Sequence, residues 1–155
     1  MNRKEYEERI AKLEKELKEL KEAEITNDEF PKHGQAYWFV HTDGYVVYAH
    51  WGDNTIDNYR KDFLRIFRTE EECNRYLEIQ EAFMDKSKEF KPDWKNGNPD
   101  KYCLYYDHYI QSVKINKWNI HQYSHQFFES REVLEELIER FGEEDIKKYY
   151  FGIED

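Results

Sequence analysis

The chain is poor in the residues that staple, kink or loosen a backbone: two cysteines, three prolines and six glycines in 155 residues. Cys73 and Cys103 are too few for a disulfide framework, and both fall inside expected secondary structure, so reduced, structural thiols are the reading. Glycine is too sparse for a phosphate-cradling loop, and neither a GxSxG elbow nor an HExxH pair occurs. No apolar run approaches the ~20 residues of a membrane span, and the charged N-terminus has no signal-peptide core, so a soluble cytoplasmic chain is expected. Positive charge is also short. Against 34 Asp and Glu stand 24 Lys and Arg, a formal charge of −10, whereas phosphate neutralisation by a basic surface supplies most non-specific affinity for nucleic acid. DNA or RNA is therefore disfavoured as a partner.

Rings and charges are what the chain has in quantity: 13 Tyr, 10 Phe and 4 Trp beside 37% charged residues. So polar a chain fills a small core with large side chains, and the rings left outside supply the anchors that protein interfaces use. Two stretches, 36–84 and 102–141, read as copies of one unit. Each opens on an aromatic alternation, YWFVHTDGYVVYAHW and then YCLYYDHYIQSVKINKW. Each closes on a Phe, a hydroxyl residue and an amphipathic helix, FRTEEECNRYLEIQEAFM and then FESREVLEELIERFG. The expected fold class is α+β, an N-terminal coiled-coil helix followed by a duplicated antiparallel β-hairpin-plus-helix domain. Its expected divisions are a helix over 1–25, a linker over 26–35 and a domain over 36–155, with copies at 36–86 and 102–142 and a connector at 87–101.

In the first segment Tyr6, Ile10, Leu13, Leu17 and Leu20 recur at alternating spacings of four and three, with Ile10 and Leu17 at heptad position a and the others at d. In a parallel pair Arg9 at g faces Glu14 at e, and Glu16 faces Lys21, both of opposite charge. These five apolar residues are the candidate self-association site of a homodimer; the alternative is a helix folded back on its own domain. Asn27, Pro31 and Gly34 break the helix before the domain.

Within the first copy, Thr42, Asp43 and Gly44 supply the turn of a hairpin. The polar run GDNTIDNYRKD then reads as a loop, in which Asp53, Asn54, Asp57 and Asn58 hold backbone amides in Asx turns. A calcium loop is excluded there by the absent central Gly and closing Glu. Residues 64–67 are expected to add a third strand. Thr69 with Glu72 forms a capping box, and Cys73, Tyr76, Leu77, Gln80, Phe83 and Met84 form the buried face of the helix that follows. Phe90 and Trp94 are expected to pin the connector. In the second copy Ser130 caps a helix whose stripe is Val133, Leu134, Leu137, Ile138 and Phe141, ended by Gly142. The tail is expected to make one more helical turn.

Chemistry finds little to work with. His121 and His125 have a spacing that can bind zinc, but no carboxylate or thiol follows at ligand spacing, so no metal or other cofactor is expected. The chain reads as a non-enzymatic binder. Its candidate partner-binding surface is the acidic face of the second helix and its continuation: Glu132, Glu135, Glu136, Glu139, Glu143, Glu144 and Asp145. The competing reading, nucleic-acid or nucleotide binding, uses exposed rings as a stacking platform beside Arg60, Lys61, Arg65, Arg68 and Arg75.

The order of these pieces resembles accessory proteins of phages and prophages of low-GC Gram-positive bacteria: the seamed N-terminus, YWFV with Trp51, Asp57 and Arg60, FRTEEE, a polar linker with Trp94, KYCLYYD and the closing IKKYYFGIED. Proteins of that kind often carry Gly-Asn before an F-x-T-x-E-E box, where this chain has Leu64, Arg65 and Ile66. The resemblance implies a protein of the bacterial host's cytoplasm that binds a host or defence protein, as an inhibitor of a nucleic-acid-processing protein of the anti-CRISPR kind.

Overall fold

The computed structural model describes residues 3–26, 29–91, 100–118 and 126–154. The elements run α1 (Arg3–Thr26), β1 (Ala36–Val40), β2 (Val46–His50), α2 (Thr55–Tyr59) with a π turn (Arg60–Leu64), α3 (Glu70–Glu89), β3 (Lys101–Asp107), β4 (Ser112–Trp118), α4 (Arg131–Phe141), and α5 (Glu143–Asp145) with a second π turn (Ile146–Tyr150). This is the α+β class, a helix followed by two hairpin-plus-helix units.

Both units are built by the same steps. β1 pairs with β2 from Ala36↔His50 to Val40↔Val46, and β3 with β4 from Lys101↔Trp118 to Asp107↔Ser112, both antiparallel. Gly44 takes φ +83 in the first turn, a conformation that a Cβ disfavours. The chain then returns to the first strand of each hairpin for a single bridge. Trp38 and Phe67 exchange N–H···O bonds of 2.9 and 2.8 Å, and Tyr102 and Phe128 exchange bonds of 3.2 and 2.8 Å. Two residues on, a hydroxyl caps the helix: Thr69 Oγ1 accepts from Glu72 N, and Ser130 Oγ from Val133 N.

The expected third strand at 64–67 is only that bridge. Arg65 has φ +62 and ψ +130, which no extended run of L residues tolerates, so the chain can meet β1 at Phe67 alone. The expected loop at 52–62 is also corrected. Asn54 caps a helix there, its side chain accepting from Asp57 N at 2.9 Å, and the helix widens into the π turn.

α3 lies against β1, β2, α4 and the second π turn, while α4 packs on β3. The main core collects Phe67, Cys73, Ile79, Phe83, Leu104, Val113, Phe128, Leu134, Leu137, Phe141, Ile146 and Tyr149. On α3, Ile79 is fully buried where Met84 was expected, and Met84 is exposed; Gln80 is half-buried and its amide donates to Tyr149 O. The tail is longer and more central than one helical turn, because Ile146 and Tyr149 enter the core. The stripe on α4 lies as expected, with Gly142 ending it at φ +82. A second core of Tyr37, Phe39 and Trp51 sits on the other face of β1, with Phe30, Val47, Ala49 and Ile66 packed on it. Burial of each large ring contributes about 2 kcal/mol, so these rings carry much of the fold's stability.

Two expectations, the His121 and His125 pair and the Trp94 plug, lie outside the described residues; Phe90 is half-buried.

Candidate docking surface

The helix and π turn over 55–64 have their polarity reversed. The inward side is held by a buried polar network: the Tyr37 hydroxyl donates to Asp57 Oδ1 at 2.5 Å, Gly52 N donates to Asp57 Oδ2 at 2.7 Å, and Arg60 Nη1 donates to the Tyr37 hydroxyl at 3.0 Å. Arg60 also lies over the Phe39 ring at 4.3 Å. Burial pushes the Asp57 carboxyl upward, but the Tyr37 hydroxyl, the N–H groups of Gly52 and Asn54, and the Arg60 charge outweigh it, so Asp57 is held below the usual carboxylate range. Tyr37 is raised, by burial first and by its bond to Asp57 second. Every oxygen in this network has a hydrogen-bond partner, which makes it a fastening.

Outward, Ile56, Tyr59 and Phe63 are 61%, 55% and 73% exposed, and the Tyr59 and Phe63 rings touch with centroids 5.0 Å apart. Their spacing of three and four puts them on one side of the element. Isolated exposed apolar residues need no explanation, but three on one side of a firmly fastened segment, two of them with touching rings, form a patch of the kind that marks an interaction site. Sequence reasoning missed all three. Their helical period is present in TIDNYRKDFL, as is the Asn54-to-Asp57 cap, but so dense a run of polar residues reads as a loop.

Other rings are exposed as well, Tyr48 beside Trp38 and His50. Tyr45 and Tyr48 project from the first hairpin. Tyr109 is 96% exposed at the tip of the second, where Asp107 Oδ1 accepts from the N–H groups of Tyr109 and Ile110 at 2.9 and 3.3 Å and so fixes the turn.

The expected acidic face divides. Glu132, Glu135, Glu136, Glu139, Glu143 and Glu144 are exposed. Asp145 is only half-exposed and accepts from Arg75 Nε at 2.6 Å, joining α3 to the tail.

The basic cluster is not a patch. Arg60 is spent on Tyr37 and Phe39. Arg65 donates to Lys148 O at 2.6 Å and Tyr149 O at 3.3 Å, and Arg75 is paired with Asp145 and Glu78. Lys61 lies over Trp51 and Arg68 over Phe30. A guanidinium already bonded to protein carbonyls or carboxylates has little left for a phosphate.

The thiols are equally withdrawn. Cys73 is pushed up to about 11 by burial and then by Glu70, and burial also raises Cys103. The open groove of about 560 Å³ beside Phe30, Arg68 and the tail has charges of both signs, and its Lys148 is bonded to Glu72 at 2.8 Å. Among the described residues no three His, Cys, Asp or Glu converge as a metal site, and no helix is long and apolar enough to cross a membrane. What this arrangement offers chemically is rigid presentation of rings. Comparison with family models, curated proteins and solved structures finds no match.

Proposed function

We propose that the protein works by binding another protein, without catalysis, and that the outward stripe of Ile56, Tyr59 and Phe63 is its principal anchor. The stripe's exposure on a segment pinned from behind by Asp57 carries the reading. Ordering of the contact residues is one of the main costs of association, and a pre-fastened helix has already met it. Aromatic side chains on such a support are the residues that dominate measured interface energies. The six exposed carboxylates of α4 and its continuation favour a partner with a basic surface, since opposite fields speed encounter. A basic, channel-bearing partner among host or defence proteins that process nucleic acid fits that charge, and inhibition by occupying the channel is the mode of action we infer. Direct binding of nucleic acid is the weaker reading, because Arg60, Arg65 and Arg75 are engaged inside the fold.

The test is capture from host lysate on immobilised full-length chain, with and without nuclease. A nuclease-resistant protein partner supports the reading; recovery of nucleic acid alone contradicts it.

A further inference from the structure

We infer that α1 pairs with α1 of a second copy, parallel and in register, so that two domains emerge side by side from one end of the coil. Tyr6, Ile10, Leu13, Leu17 and Leu20 are all exposed, so the helix is not folded back on its own domain. The hollow beside Leu13 is walled by Glu8, Arg9, Lys12 and Glu16 of α1 itself. A seam this narrow, two positions in seven, fits one similar helix better than the side of a globular domain, which takes a wider stripe.

Charge selects both occupant and orientation. In the parallel arrangement the g-to-e pairs are Arg9 with Glu14 and Glu16 with Lys21, each formed twice and each of opposite sign. Antiparallel, with Leu13 against Leu17, Glu14 meets Glu14 and Glu16 meets Glu16 across the two-fold axis. The antiparallel register with Ile10 against Leu13 sets Glu7 against Glu14 twice, offsetting its two Arg9–Glu16 pairs, and the one with Leu17 against Leu20 pairs Glu14 with Lys21 but matches only two of the apolar layers. The parallel pair alone keeps every apolar layer matched with opposite charges facing and no facing carboxylates. Ile10 at a and Leu13 and Leu20 at d also favour two strands over three or four.

A parallel pair brings the two Thr26 ends within about 10 Å of each other, the usual spacing of packed helices. Both Ile56–Tyr59–Phe63 stripes then belong to one particle, and a partner with repeated sites is held bivalently. That consequence rests on the proposed function, whereas the pairing does not and is measured without any partner.

Sedimentation of the full chain at about 100 µM, a concentration suited to a seam this short, should give twice 19.2 kDa. Leu13→Lys with Leu17→Lys should return it to a monomer with the domain's melting temperature unchanged. Arg9→Glu should weaken the dimer about tenfold, and adding Glu14→Arg should restore it. Under mild oxidation Leu20→Cys should crosslink to itself, with the wild-type chain as control. A wild-type monomer, or a dimer indifferent to the Leu13 and Leu17 changes, would overturn the pairing. A Leu20→Cys chain that crosslinks only to an Ile10→Cys chain would overturn the orientation.

Discussion

At the scale of single residues, Asp57 and Arg65 act as fasteners, and each leaves a measurable trace. Asp57→Asn should cost about 2 kcal/mol, because the Tyr37 hydroxyl and Gly52 N–H lose charged acceptors in a buried place. The sign with pH follows from the depressed carboxyl. Its stabilising effect is complete above the unfolded-state value near 4 and fades as the pH drops through the lower folded value. The gap between wild type and Asp57→Asn in chemical denaturation should therefore be widest at neutral pH and narrow below about pH 4; a constant gap would place the cost in shape alone. Arg65 gives a second trace. Arg65→Ala should cost about 2 kcal/mol through the lost bonds to Lys148 O and Tyr149 O. Arg65→Gly should be milder than Arg65→Ala by about 1 kcal/mol, since glycine adopts φ +62 without strain. The thiols supply a third: with Cys73 and Cys103 buried and their acidities suppressed, a disulfide reagent at pH 8 should find no reactive thiol in the native protein and two after denaturation.

At the scale of elements, the units built from local rules were legible and those built from tertiary contacts were not. Thr69 and Ser130 announce α3 and α4 because capping needs one hydroxyl and the N–H three residues on. Thr69→Ala and Ser130→Ala should each lower stability by about 1 kcal/mol, read as a drop in melting temperature. The hairpins were equally plain from their ring alternation and the turn at Gly44. The segment 55–64 was not, because it is packed the wrong way round for pattern reading: Asp57 goes in and Phe63 goes out. Its periodicity therefore looks like the scatter of a polar loop. The strand expected at 64–67 failed for a different reason, since nothing in the letters Leu-Arg-Ile states that Arg65 will turn left-handed in order to reach the carbonyls of Lys148 and Tyr149. On α3, the exchange of Met84 for Ile79 comes from where α4 and the tail lie, which helical spacing alone does not specify.

At the scale of the whole molecule, two hairpin-plus-helix units around a shared core hold a surface of two kinds, rings on the first unit's helix and carboxylates on the second's. The candidate partner-binding site in the letters was only the second of these; under the proposed function the rings would carry the larger binding energy, because they lose water without leaving a buried charge. The acidic face should govern rate more than grip. Glu132→Lys with Glu136→Lys should slow association with the captured partner and flatten its dependence on salt, leaving dissociation little changed in a stopped-flow experiment. The most direct test of the central claim is the affinity of that captured partner for the chain carrying Ile56→Ser, Tyr59→Ser and Phe63→Ser, measured by calorimetry alongside wild type. Loss of at least about 100-fold with the melting temperature preserved is the outcome expected of an anchor, and unchanged affinity in a folded variant would contradict it.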